Sequence, residues 1–211
     1  MNIIIFGPPG AGKGTQSNFL IQDHGMFQVS TGDLLRNELK KVSELSKQIK
    51  SIMDAGKLVS DNIIYSLIEK KLSDEEIKNK IIFDGFPRNL DQVSKLELML
   101  QKHDQKISKV LNLKVDYSIL IKRLSGRISC SNCKKTFNEF FDPPPSNCCQ
   151  KQEFIKRSDD NEETVSKRLK TYDNETLPIL EFYKKQNKVV DIDAMKQITE
   201  VRKEIRGIIA S

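Results

Sequence analysis

The run Gly7-Pro8-Pro9-Gly10-Ala11-Gly12-Lys13-Gly14-Thr15 places a lysine directly after a glycine that stands five residues beyond another, with a hydroxyl two residues on. The spacing of Gly7, Gly12 and Lys13 is that of a phosphate-binding loop when a strand precedes it and a helix follows. Its chemistry is electrostatic. Glycines let successive backbone N–H groups turn inward around phosphate oxygens, and the first turn of a helix adds partial positive charge. Lys13 is placed to reach the β- and γ-phosphates of a nucleoside triphosphate, and the Thr15 hydroxyl suits Mg²⁺. The bland reading is a glycine-rich turn with a chance lysine; the strand and helix patterns on either side argue against it. The motif alone does not separate a kinase from an ATPase or a GTPase.

Two other segments add cations. Ser30-Thr31-Gly32-Asp33-Leu34-Leu35-Arg36 and Phe83-Asp84-Gly85-Phe86-Pro87-Arg88 each end on an arginine, and Gln92 follows the second. A planar guanidinium matches a phosphate dianion. Each arginine taken singly reads as a solvated surface charge; it is their shared placement after strands that matters. The four cysteines all fall between positions 130 and 149, and Cys130-Ser131-Asn132-Cys133 has zinc-ligand spacing.

The elements that must position these residues alternate. Short runs rich in Val, Ile or Phe at Ile3–Phe6, Phe27–Ser30, Lys80–Phe83, Val110–Val115 and Val189–Ile192 fit buried parallel strands. Helical patterns fall at Gly14–His24, Asp33–Met53, Asp61–Leu72, Leu90–Gln101, Tyr117–Leu124, Asn161–Tyr183 and Ile198–Ile209, with Pro178 expected to bend the sixth. The alternation predicts a three-layer α/β fold with a five-stranded parallel sheet. In such sheets ligands bind beyond the carboxyl ends of the strands, which puts both arginine segments over the same crevice as the glycine loop. Two stretches interrupt the alternation: a helical one between the second and third strands, and a cysteine- and proline-containing one from Ser125 to about Arg157.

Composition agrees with a globular chain. Of its 211 residues 37% are hydrophobic and 30% charged, and the net charge is +6. No run approaches the ~20 apolar residues of a membrane helix, and no signal-peptide pattern opens the sequence, so a cytoplasmic protein is expected. The positive balance admits an anionic partner or a lysine-rich surface with none. No aromatic-basic patch of the RNA-binding kind occurs, so nucleic acid is not the expected partner.

Taken together, the glycine loop and the two arginine segments resemble the adenylate kinase family of nucleoside monophosphate kinases, over nearly the whole chain. The resemblance implies a P-loop core at 1–29, 60–125 and 161–211, a helical AMP-binding insertion at 30–59 and a mobile lid at 126–160, as in the long bacterial-type members. It implies reversible transfer of the terminal phosphoryl group of Mg-ATP to AMP, giving two ADP, by a monomer. Residue by residue, ATP would lie against Gly10, Ala11, Gly12, Lys13, Gly14, Thr15, Arg123, Arg127, Thr136, Phe137 and Lys196. Thr31 and Gln92 would read the adenine of AMP, Arg36 and Arg88 would grip its phosphate, and Lys57, Leu58, Val59, Gly85 and Phe86 would complete that site. Arg157 and Arg168 would bridge the transferring group and AMP. Thr15 and Asp84 would serve Mg²⁺. The catalytic set would be Lys13, Arg88, Arg123, Arg157 and Arg168. Ala194 stands where the family usually has Gly.

Lids of this family often carry a second C-x-x-C or C-x-x-D. Here Cys148 and Cys149 are adjacent, and Lys151 stands at the expected fourth position. Zinc held by Cys130, Cys133, Cys148 and Cys149 is the favoured reading, its role structural. Three cysteines plus another group, or thiols without metal, remain open. Two other functions compete: a kinase of the same fold acting on UMP, CMP, dTMP or a small metabolite or using GTP, and a zinc-knuckle protein that binds RNA.

Overall fold

The structure is a computed structural model and describes residues 1–41, 43–55, 59–133, 135–149 and 153–210, with no side-chain description for residue 45. Lys57, Leu58 and Lys151 therefore lie outside the described residues.

Five strands, β1 (Asn2–Phe6), β2 (Phe27–Ser30), β3 (Ile81–Asp84), β4 (Ile107–Lys114) and β8 (Val189–Asp193), form one parallel sheet in the order β2-β3-β1-β4-β8. Their alternate residues feed two cores. Ile4 and Phe6 of β1 face one side with Phe83 and Val110; Ile3 and Ile5 face the other with Ile82, Leu111 and Ile192. The first side is covered by α4 (Asp61–Leu72), α5 (Leu90–Lys102) and α8 (Ile179–Lys184), and the second by α1 (Lys13–His24) and α9 (Ile198–Ala210). Burial on both faces explains why these strands read as continuous apolar runs.

The segment that reads as one long helix after Thr31 is two, α2 (Thr31–Glu38) and α3 (Glu44–Asp54). The break falls before Ser43, which accepts from the Ser46 amide while Ser46 Oγ accepts from the Ser43 amide, a reciprocal cap that starts a new helix. Past α6 (Leu120–Ser125), a small antiparallel sheet forms from β5 (Arg127–Cys130), β6 (Thr136–Asn138) and β7 (Phe154–Ile155), in the order β6-β5-β7.

The long helix expected over Asn161–Tyr183 is also interrupted. After α7 (Glu162–Thr171) the chain widens into a π turn over Tyr172–Thr176, and α8 begins just after Pro178. Pro178 has no N–H to give and its ring would crowd the carbonyl four residues back. The wide turn, in which the Leu177 amide donates to Tyr172 O at 2.8 Å, takes up that constraint. Among the described residues no helix is long and apolar enough to cross a membrane.

Candidate active site

The loop between β1 and α1 is shaped by its glycines. Gly7 sits at φ +147, and a Cβ there would meet Leu113 O at 2.9 Å, so only glycine lets the loop pack against β4. Gly12 takes a left-handed conformation at the helix N-cap and offers no side-chain cap, which leaves the first amides of α1 to a ligand. Lys13 folds back over the loop, its Nζ donating to Gly7 O at 2.8 Å and Pro8 O at 3.0 Å.

One cleft of about 1340 Å³ runs from this loop across the carboxyl ends of the strands. It exceeds the ~300–1,000 Å³ of an ordinary small-molecule site and has room for two nucleotides. Gly10, Ala11, Gly12, Lys13, Gly14 and Thr15 line it, as do Arg123, Arg127, Thr136, Phe137 and Lys196. Thr31, Arg36, Val59, Gly85, Phe86, Arg88 and Gln92 line it too, with Asp84, Arg157 and Arg168. Every residue expected at the nucleotide sites and lying within the described residues is thus on one wall or another of the same cleft.

Its electrostatics are those of cations held close without a counter-anion of equal charge. Burial, then Arg88, Arg168 and Arg127 against the opposing pull of Asp84, hold the Lys13 ammonium down to about 8. Burial and Arg168 bring Arg88 to about 10, and burial with Arg127 and Arg36 brings Arg157 to about 10. Burial also lowers Arg168 and Arg123. A polyanion entering this cleft would relieve all of them at once.

Carboxylates hold the arginines in place. Asp160 accepts from both Nε, at 2.7 Å, and Nη2 of Arg127, and its side chain is only 2% exposed. Arg168 Nη1 reaches Asp159 at 3.0 Å and Asp160 at 3.4 Å. Burial would raise the Asp159 carboxyl, but Arg168, Arg127, Arg36 and Arg157 outweigh it and hold it below the usual carboxylate range. Arg36 Nη2 donates to Asp33 at 2.6 Å. These carboxylates are what reading the sequence missed. The signal was present as Asp159-Asp160 two residues after Arg157, but an acidic pair beside basic residues reads as solvated surface.

The other expected residues have partners of their own. Thr31 Oγ1 donates to Gly85 O at 2.8 Å. Gln92 accepts from the Arg88 amide at 2.8 Å and donates to Asp61 at 2.6 Å, which leaves its amide one N–H and one lone pair for a base. Arg123 Nη2 donates to Ala194 O at 3.2 Å. Lys196 lines the cleft, and its ammonium donates to Glu204 at 2.8 Å. Asp84 accepts from Gln28 at 2.8 Å; together with the Thr15 hydroxyl it makes a pair of oxygen donors on the cleft wall, the donor type Mg²⁺ takes.

Beside the cleft the ligand atoms of Cys130, Cys133, Cys148 and Cys149 all lie within 4.8 Å of one another, with Cys133 Sγ 3.6 Å from Cys148 Sγ. The adjacent pair therefore does not prevent both sulfurs from facing the same point. Sulfurs at the corners of a tetrahedral zinc site stand about 3.8 Å apart, from a Zn–S bond of about 2.3 Å, so the donor set fits that metal.

A family model for adenylate kinase matches residues 5–188. The chain belongs to the adenylate kinase family. It is 41% identical to the adenylate kinase of Pelagibacter ubique over 211 residues, 99% of each chain. It is 41% identical to that of Nitrosococcus oceani, over 99% of this chain and 98% of the relative, and 40% identical to that of Clostridioides difficile, over 100% and 99%. It is accordingly a phosphotransferase of the adenylate kinase type, which transfers a phosphoryl group reversibly between ATP and AMP to give two ADP. The five-stranded parallel sheet and the glycine loop are consistent with the fold of this family.

Proposed function

We propose that the adenylate kinase reaction runs on this chain by charge neutralisation at a site divided between two nucleotides. Gly10 to Thr15 would cradle the ATP phosphates, with Arg123, Arg127, Thr136, Phe137 and the Lys196 backbone along the rest of that nucleotide. Arg36 and Arg88 would grip the AMP phosphate, while Thr31, Gln92, Val59, Gly85 and Phe86 surround its base and ribose. Lys57 and Leu58 would join them. Arg157 and Arg168 would lie against the group in transfer. What carries this reading is the crowding of Lys13, Arg88, Arg157 and Arg168, each lowered in pKa, in one cleft large enough for both substrates.

In the transfer, negative charge spreads over the equatorial oxygens between an incoming and a leaving oxygen, so positioning and neutralisation carry the rate. The AMP phosphate is already an anionic nucleophile, and no side chain has to remove a proton from it. Mg²⁺ arriving with ATP supplies further neutralisation of the β- and γ-phosphates, and Thr15 and Asp84 are the residues that would hold it and its water shell. Water is the competing acceptor. The small sheet, taken as the lid at 126–160, and the AMP-binding insertion at 30–59 would close over the core formed by 1–29, 60–125 and 161–211 and exclude it. Zinc on Cys130, Cys133, Cys148 and Cys149 would staple the lid, which is too small to hold itself with an apolar core. The enzyme would work as a cytoplasmic monomer on ATP, AMP and ADP.

The division of the site is tested by steady-state kinetics of Arg36→Ala and Arg123→Ala, with ADP production coupled to a reporter. Arg36→Ala should raise the KM for AMP and leave that for ATP near its original value, and Arg123→Ala should do the reverse. The opposite pattern would overturn the allocation. UMP accepted in place of AMP would overturn the acceptor reading.

A further inference from the structure

Arg88 is held by more than its own loop. Its Nε donates to Gly85 O at 2.7 Å, and its backbone N–H donates to the Gln92 side chain at 2.8 Å. The remaining backbone group, the Arg88 carbonyl, accepts from the Thr176 hydroxyl at 2.8 Å. Thr176 is buried, lines the cleft, and is 88 positions away in sequence. The two peptide groups flanking the Arg88 Cα are thereby fixed from two different elements, α5 and the π turn.

The π turn is what delivers the hydroxyl. Arg168, Tyr172 and Thr176 stand four residues apart and all line the cleft. In a straight α-helix each step of four advances by about 40°, so Thr176 would have drifted about 80° round from Arg168. The wider turn over Tyr172–Thr176 lags behind this drift and keeps Thr176 on the cleft side. Thus one stretch of chain carries Arg168 into the cleft and, two turns on, clamps the peptide that carries Arg88.

We propose that Thr176 is a positioning residue for phosphoryl transfer: through its hydrogen bond to the Arg88 carbonyl it fixes the guanidinium of Arg88 against the acceptor phosphate. This rests on the reading of Arg88 as an AMP-phosphate ligand. A hydroxyl that only fastened the helix to the loop would affect stability alone, whereas a positioning role affects one substrate more than the other.

The experiment compares Thr176→Val, Thr176→Ala and Thr176→Ser with the parent enzyme, and repeats Thr176→Ala in an Arg88→Ala background. Steady-state kinetics are run for both substrates, with thermal unfolding measured in parallel. Loss of the hydroxyl in either Val or Ala should lower kcat/KM for AMP about tenfold, with KM for ATP changed less than about twofold, and Ser should restore most of the loss. In the Arg88→Ala background, Thr176→Ala should cost little more, because the two act as one unit. Equal effects on both substrates, a Ser variant as impaired as Val, or losses that simply multiply with Arg88→Ala would each overturn the proposal. If Arg88→Ala itself leaves AMP kinetics unchanged, the reading of Arg88 fails instead, and the two failures are told apart by that single variant.

Discussion

The depressed pKa of Lys13 makes a prediction about stability that is separate from catalysis. In the folded, unliganded enzyme Lys13 loses its proton near 8, against 10.5 for an ordinary lysine. Between those values the unfolded chain binds one more proton than the native one, so native stability rises with pH through the window. The gap corresponds to roughly 3 kcal/mol, at about 1.4 kcal/mol per pH unit. Lys13→Met removes this contribution and keeps the other titrating groups, whose effects cancel in the difference between the two proteins. The loss of two hydrogen bonds to Gly7 O and Pro8 O shifts that difference by a constant and leaves its slope alone. Urea unfolding of both proteins without nucleotide, from pH 7 to pH 10, should therefore show the parent gaining about 2–3 kcal/mol on the variant, nearly all of it above pH 8. With saturating Ap5A the phosphates keep Lys13 protonated in the parent, and its gain with pH over this range should disappear. Parallel stability curves for the two unliganded proteins would refute the idea that burial in the cleft, aided by the arginines around it, holds Lys13 down.

The same electrostatics make Asp160→Asn informative: with one buried charge gone Arg127 loses its bidentate partner, and KM for ATP should rise about tenfold, measured with the coupled ADP assay; an unchanged KM would show that Arg127 needs no anchor. Gly7→Ala should cost several kcal/mol, on the order of 3, in urea unfolding, because its Cβ meets Leu113 O at 2.9 Å at a positive φ; a stable variant would mean the loop can shift away from β4. Metal analysis of purified, chelator-washed protein should find about one zinc per chain, and Cys133→Ser should lose it with a lower unfolding temperature; less than about a tenth of a zinc per chain would end the zinc reading.

The parts of this molecule that were legible in its sequence are those in which local chemistry and chain direction agree. The glycine loop could be read because its spacing, the strand before it and the helix after it are one covalent unit. The arginines of the Arg36 and Arg88 segments could be read because a position just past a strand already places them at the crevice. The interruption at Pro178 was visible as a bend, but not as a π turn, since a proline states only that the regular helix cannot continue. Its consequence, a hydroxyl on the carbonyl of Arg88, depends on two segments meeting across the cleft. Whether the adjacent Cys148 and Cys149 could both face Cys130 and Cys133 was open for the same reason, because it is decided by the path of the chain around them.

The carboxylates show most clearly why the remainder was hidden. Burying several cations together in one cleft works against the empty fold, as the pKa values of Lys13, Arg88 and Arg157 record, lowered chiefly by burial and then by neighbouring arginines. Asp33, Asp159 and Asp160 offset part of that cost by pairing with Arg36, Arg127 and Arg168. They must do so incompletely, because carboxylates that neutralised the cations in full would leave nothing for phosphates to gain on binding. A sequence displays both signs of charge but not the balance between them. That balance arises only when segments far apart in the chain are brought within a few ångströms, and it decides how strongly this cleft prefers two nucleotides to none.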